Sequence, residues 1–335
     1  MKKILFTLVS FVLLFITTKA TSFFYGHKVL TQPKEQKPPA PKWTSHKPFE
    51  QKIFIENKGQ YALKNKATNT DILFGARQDG LQYFFAKDGI WIKYIEKIER
   101  TKREIEKFKE QIGEKENTDK DGEEKIDNVV KYKFVERFHR MEFIGAGAST
   151  TIIPEGEPLT QLYNFTIDNK TNVSAHAFKK ITYKNLYQNI DMEIYFPEDK
   201  QGFKYNLILN PGADPNQIQI QYPLNTGISL SPEGNMIINS LIGDFTDHAP
   251  IATEENSSEP VKCSFLLDKH KRIVTFNLEN YNTSKTLIID PWTTTPTYAG
   301  NNNAYDVDWD NAGNCYAYGG TPPFQVIKFN NAGAI

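Results

Sequence analysis

Cysteine is almost missing from this chain of 335 residues: Cys263 and Cys315 are the only two. A scaffold stapled by disulfides needs several pairs, so stability has to come from a packed core, and two lone thiols are expected. Net charge is missing too, with 40 basic and 40 acidic residues. Removal of residues 1–20, which hold three lysines and no acid, leaves about −3. That balance excludes the basic footprint of a nucleic-acid binder. The only long apolar run is Ile4–Ile16, too short for a comfortable membrane span. His-Glu-x-x-His, Gly-x-Ser-x-Gly and a phosphate-cradling glycine loop are all absent, and no two of the six histidines fall at metal-ligand spacing. Catalytic, cofactor-binding and metal residues are therefore all expected to be none.

What is present begins with an export signal. Lys2 and Lys3 precede the apolar run, and Thr18-Lys-Ala20 supplies the small residues that a signal peptidase reads. The expected destination is the cell surface or the medium, with no stable membrane span after cleavage. Residues 21–50 contain Pro33, Pro38, Pro39, Pro41 and Pro48 among polar neighbours and are expected to form a linker.

From residue 51 the chain is rich in aromatics, with 23 Phe and 16 Tyr, and is cut into short runs by Gly, Pro and Asn. Strands are expected at 71–75, 81–86, 89–94, 130–135, 139–144, 161–165, 178–183, 190–196 and 203–209. Ile218-Gln-Ile-Gln-Tyr222 alternates, apolar inward and Gln outward, as in a half-buried antiparallel strand. Further hairpins are expected around Pro232-Glu-Gly234 and over 261–278, and Leu287-Ile-Ile-Asp-Pro291 closes the unit. The segment 95–127 breaks the rhythm. Ile95, Ile98, Ile105, Phe108 and Ile112 fall on one helical stripe, followed by a charged loop, so a charged insertion in a hairpin is expected.

After residue 291 the pattern changes again. Tyr305–Trp309, Asn314–Tyr318 and Gln325–Phe329 are short alternating runs separated by Asn311-Ala-Gly313 and Asn331-Ala-Gly333 turns. Three strands and a stub are the material of a partial propeller blade. The expected class is all-β: an antiparallel, sandwich-like domain over 51–291 with one charged helical insertion at 95–127, then the start of a truncated β-propeller over 292–335. A longer protein continuing past Ile335 is expected.

Several motifs occur in an order that resembles a known family. They are Phe54-Ile-Glu-Asn-Lys-Gly-Gln60, Asn189-Ile-Asp-Met-Glu-Ile-Tyr195, Gly202-Phe-Lys-Tyr-Asn206, Asn210-Pro-Gly-Ala-Asp-Pro215, the Gly243–Pro250 segment and Ile289-Asp-Pro291. The chain is similar to an uncharacterised bacterial N-terminal domain that precedes SBBP-type β-propeller repeats. The resemblance implies a multi-domain exported protein of gliding, type IX-secreting bacteria, and it implies no catalytic residues.

Three constellations carry possible chemistry. Asp191 and Glu193 share one face of a strand, about 6.6 Å apart along the backbone, which approaches the carboxylate separation of glycosidases. An exposed polar face explains them equally well. Asp306, Asp308 and Asp310 imitate the start of a calcium loop, but the Gly and Glu positions of that loop hold Asn311 and Ala317. Gly243-Asp-Phe-Thr-Asp-His248 is expected to be a polar loop. Five Asn-x-Ser/Thr sequons, at Asn164, Asn169, Asn172, Asn256 and Asn282, are at chance frequency in an Asn-rich chain. The expected function is a non-enzymatic exported scaffold or binding module that engages a surface protein or a polysaccharide. The alternatives are a secreted polysaccharide hydrolase using Asp191/Glu193 or residues further downstream, and a calcium-stabilised surface module.

Overall fold

The computed structural model describes residues 51–61, 72–78, 80–112, 130–146, 148–167, 170–224, 226–296, 304–320 and 324–334. The segments expected to be a signal (1–20) and a linker (21–50), and the 113–127 part of the expected insertion, lie outside the described residues. The described residues are mostly β-strand, and all the strand pairs are antiparallel. All-β is the class observed.

One sheet has nine strands, in the order Cys263–Asp268, Ile273–Leu278, Ile220–Gln221, Tyr132–Phe143, Gly89–Glu99, Leu81–Ala86, Ile72–Gln78, Gln51–Glu56 and Ala177–Phe178. The other has eleven. Its main path runs Ile228–Leu230, Met236–Ile238, Phe245–Asp247, Trp292–Thr294, Phe203–Leu209, Ile190–Tyr195, Lys180–Tyr187 and Thr151–Glu155. Leu287–Asp290 branches from Phe203–Leu209 and carries Ile251–Glu254 and Pro260–Val261.

Alternation decides which residues go inside. In Ile190–Tyr195 the buried positions are Ile190, Met192 and Ile194; in Phe203–Leu209 they are Phe203, Tyr205, Leu207 and Leu209. Period-2 patterning places each set on one face of its strand. The two sheets contribute to a single apolar core. Rings meet across it: Phe143 with Tyr183 at 5.6 Å, Tyr83 with Phe203 at 6.0 Å and Phe54 with Phe196 at 5.0 Å. Each such ring removed from water contributes about 1.5–3 kcal/mol, set against the entropy of ordering it.

All six residues of Leu81–Ala86 are buried, so this strand is covered on both faces. Tyr61 covers Phe84 on the side away from the core, at 5.8 Å, and is itself met by Phe165 at 6.0 Å. Phe165 belongs to the separate hairpin of Tyr163–Ile167 and Thr171–Ala175.

Four expectations are corrected. Ile95 and Ile98 belong to the strand Gly89–Glu99, because Tyr132–Phe143 pairs with it along its whole length, out to Glu99 opposite Tyr132. The helix is only Lys102–Ile112. It starts at a reciprocal cap in which the Glu104 carboxylate accepts the Thr101 N–H (2.9 Å) and the Thr101 hydroxyl accepts the Glu104 N–H (3.4 Å). Second, the two strands expected at 130–135 and 139–144 are one strand, since no residue between them breaks the ladder. Third, only Ile220 and Gln221 of the 218–222 run are in a ladder; a short 3₁₀ turn, Pro215–Gln217, capped by Asp214, occupies the approach. Ile218, Ile220 and Tyr222 are still buried, so the alternation decided burial without a full strand. Fourth, Phe245–Asp247 is a strand, not a polar loop.

Among the described residues after Thr294 there is a three-stranded sheet, Ala304–Trp309, Cys315–Gly319 and Gln325–Phe329, with a small apolar cluster of its own around Ala317, Ile327 and Phe329. Its two turns have one design. In the first, Asp310 N–H bonds Asn314 C=O (3.1 Å) and Gly313 N–H bonds Asp310 C=O (3.0 Å). In the second, Asn330 and Ala334, and Gly333 and Asn330, repeat those bonds at 2.8 and 2.9 Å. Gly313 and Gly333 stand at φ 80° and 85°, where a side chain would be strained.

Candidate functional site

Of the large apolar residues exposed in the described parts of the chain, five crowd into this last sheet: Tyr305, Val307, Tyr318, Phe324 and Val326. The register explains how. Asp306, Tyr318 and Val326 lie opposite one another across the three strands, and Asp308, Tyr316 and Lys328 form the next row of the same face. The other face carries Val307, Ala317 and Ile327, then Trp309, Cys315 and Phe329, and it holds the buried cluster. An irregularity in register between Ala304 and Asp306 frees Tyr305 from strict alternation. Its ring lies 6.4 Å from Tyr318 and 5.5 Å from Phe324, and those two are 5.5 Å apart. Three rings, each 40–50 % exposed, thus touch one another in solvent.

Carboxylates flank the rings. Asp306 and Asp308 each accept the N–H of the next residue, at 2.9 Å, and among the described residues form no ion pair. Lys328 lies 5.5 Å from the centre of the Tyr316 ring. Apolar ring faces beside polar acceptors can take a ligand that is apolar on one side and hydroxylated at its edge.

Asp310 has a different task. Its carboxylate accepts the N–H groups of Ala312 (3.0 Å) and Asn314 (3.0 Å), the Asn314 side-chain amide (2.7 Å) and the Tyr316 hydroxyl (3.1 Å). The Asn314 side-chain bond is foremost in holding its pKa below the usual value for Asp. Four donors occupy the oxygens that a calcium loop would need, and among the described residues no group of three or more His, Cys, Asp or Glu is gathered for a metal.

Asp191 and Glu193 do share one face of Ile190–Tyr195, as alternation requires. Each is matched to a lysine of the neighbouring strand, Asp191 to Lys184 at 3.0 Å and Glu193 to Lys180 at 3.0 Å. Asp191 also accepts the Asn185 N–H at 2.8 Å. These are cross-strand ion pairs on a sheet face, and neither carboxylate meets the other in a hydrogen bond.

The residues that sequence reasoning passed over are in the core. Asp247 is 2 % exposed, and its carboxylate accepts hydrogen bonds from the hydroxyls of Tyr205 (2.5 Å) and Thr293 (3.2 Å). Burial pushes its pKa up to about 7, against the pull of those two bonds. His139 stacks on Phe245 at 4.6 Å and faces Tyr222 at 5.6 Å; burial lowers its pKa to about 4, so it is neutral. His248, next to Asp247 in the chain, stacks on Trp292 at 4.3 Å and bonds Thr294 Oγ1 at 2.7 Å, with Lys200 4.5 Å from the same indole. Burial, then Lys200, holds the His248 pKa down. The alternation Phe245-Thr-Asp247 was the available signal, since Phe245 and Asp247 share a face.

Both cysteines are free. Partial burial pushes the Cys263 thiol up to about 12 and raises that of Cys315, so neither is a ready thiolate nucleophile. No helix among the described residues is long and apolar enough to cross a membrane.

Residues 54–292 match the model of a family described as a domain of unknown function (DUF7948). No curated protein and no solved structure matches the chain.

Proposed function

The chain belongs to the DUF7948 family of domains of unknown function, and from that premise we propose that it is an exported, non-enzymatic binding module that takes a neutral polysaccharide on the aromatic face of its last sheet. In this reading residues 1–20 direct export and 21–50 tether the body. The two-sheet body is a sandwich, and Ala304–Phe329 opens a propeller whose blades present the recognition surface. The repeated turn at Asp310–Asn314 and Asn330–Ala334 supports the propeller part.

One observation carries the ligand class: Tyr305, Tyr318 and Phe324 are half-exposed, in mutual contact and bordered by Asp306 and Asp308. Sugar C–H faces stack on aromatic rings, while carboxylates accept the hydroxyls at the ring edge. The face carries no cluster of cations that would suit a nucleic acid. A hydrolase site at Asp191 and Glu193 has no such support, because each is held by a lysine.

The test is affinity electrophoresis of the purified chain through gels containing laminarin, xylan, mannan or hydroxyethyl cellulose. Retardation by at least one, weakened about tenfold or more in a Tyr318→Ala/Phe324→Ala double variant, is expected; loss of one or two stacking side chains at about 1–2 kcal/mol sets that scale. Mobility unaffected by all four glycans, or a double variant as retarded as the parent, would remove the reading.

A further inference from the structure

The position of Asp247 suits neither catalysis nor ligand binding, yet it is too costly to be incidental. It lies in the strand Phe245–Asp247, opposite Met236 on one side and Thr293 on the other. The groups facing it come from every element packed around it. Tyr205 comes from Phe203–Leu209, and Tyr222 from the end of the run after Ile220–Gln221. Cys263 approaches behind Tyr205, and His139 comes from Tyr132–Phe143 by way of Phe245 and Tyr222. Burial raises the pKa of both tyrosines, so they are neutral, as are Cys263 and His139. No cation is among them, and His248 and Lys200 bear on the neighbouring Trp292 instead.

An isolated buried carboxylate is paid for only if it is neutral or well paired. Two hydroxyl donors compensate the charge only in part, whereas the protonated acid is uncharged and can give its own O–H to one of the same hydroxyl oxygens. The strand on its Thr293 side, Trp292–Thr294, is also the last described strand of the body before the chain continues towards the aromatic sheet.

We propose that Asp247 is a proton-operated lock on the core: with its carboxyl protonated the two sheets close over it, and release of that proton to water loosens the pairing of Phe245–Asp247 with Trp292–Thr294. The direction follows from linkage. The folded chain holds the proton up to about pH 7, whereas the unfolded chain releases it near the ordinary Asp value of 3.8. The stabilisation is therefore complete below about pH 4 and is lost as pH rises through 7. Asparagine keeps the shape and removes the titration.

Two measurements on the full chain decide the matter. The first is melting temperature between pH 5 and pH 8. The parent should fall by roughly 5 °C or more, and Asp247→Asn should be flat over that range. His248→Gln, which removes the imidazole next to Asp247 in the chain, should keep the parent's slope. A flat parent, or an Asp247→Asn variant with the parent's slope, would overturn the lock. The second measurement needs no variant, should Asp247→Asn fail to fold. A high-frequency infrared carbonyl band of a buried, protonated carboxyl should be present at pH 5 and disappear with a midpoint near 7. Its absence at pH 5 would equally end the proposal.

Discussion

The body and the last sheet are built from the same antiparallel strands with opposite consequences. In the body, alternate residues meet a second sheet, so Tyr83, Phe85, Phe203 and Tyr205 are sealed completely. In the last sheet one face covers only a small cluster, and the other leaves Tyr305, Tyr318 and Phe324 in water. Alternation decides which residues share a face, and what lies opposite the strand decides whether that face is sealed. The two regions meet at least once: the Gln325 amide oxygen, in the orientation that satisfies it, accepts from Arg77 Nη1 at 2.7 Å and Nε at 3.2 Å. The contrast extends to their acids. Burial pushes the Asp247 pKa up to about 7, whereas the donors of its turn hold that of Asp310 below the usual Asp value.

The comparison can be broken most forcefully at Gly202. It has φ 85°, and a Cβ there would collide with the Thr293 carbonyl, where two strands of the body pass close together. Gly202→Ala should cost about 3 kcal/mol or more in urea denaturation, since strain and a backbone collision combine. A cost below about 1 kcal/mol would mean that the approach is not as tight as described. Next, Phe203→Ala should destabilise by about 3–5 kcal/mol, while Phe324→Ala should change stability by less than about 0.5 kcal/mol. Equal losses at the two positions would show that the last sheet is buried in solution. Asp310→Ala should speed amide exchange at Ala312 and Asn314 and leave the body's protection unchanged. Acid should imitate it in the parent, because a carboxylate with a lowered pKa contributes above the unfolded value of about 3.8 and loses that contribution as pH falls through the folded one. The smallest effect belongs to Lys184→Ala, which breaks a surface ion pair with Asp191 and should cost no more than about 1 kcal/mol. A much larger cost would revive a special role for Asp191.

Much of this architecture was legible beforehand in the patterning. The strands Ile190–Tyr195 and Phe203–Leu209 alternate so regularly that their buried faces follow from period 2 alone. The turns at Asp310 and Asn330 follow from Asn-Ala-Gly, because glycine tolerates the positive φ that the turn demands. Ile95 and Ile98 mimic a helical stripe for an equally physical reason. Their spacing of three suits a helix, and only pairing with Tyr132–Phe143 extends the strand through them. The candidate site was half legible. Asp306 and Asp308 drew notice as possible ligands, but the contact among Tyr305, Tyr318 and Phe324 depends on register and on the irregularity at Ala304, which no local pattern encodes.

By itself, then, the sequence determined the all-β class, most strand faces and the repeated turns, because these depend on side-chain alternation and backbone freedom within a few residues. Tertiary structure alone decided that Asp247 is sealed beside Tyr205 and Thr293, that Asp191 and Glu193 are paired with Lys184 and Lys180, and that three rings in the last sheet meet in water. Each of these outcomes depends on which distant segment lies opposite, and the free energy of a charge or a ring is set by that neighbour.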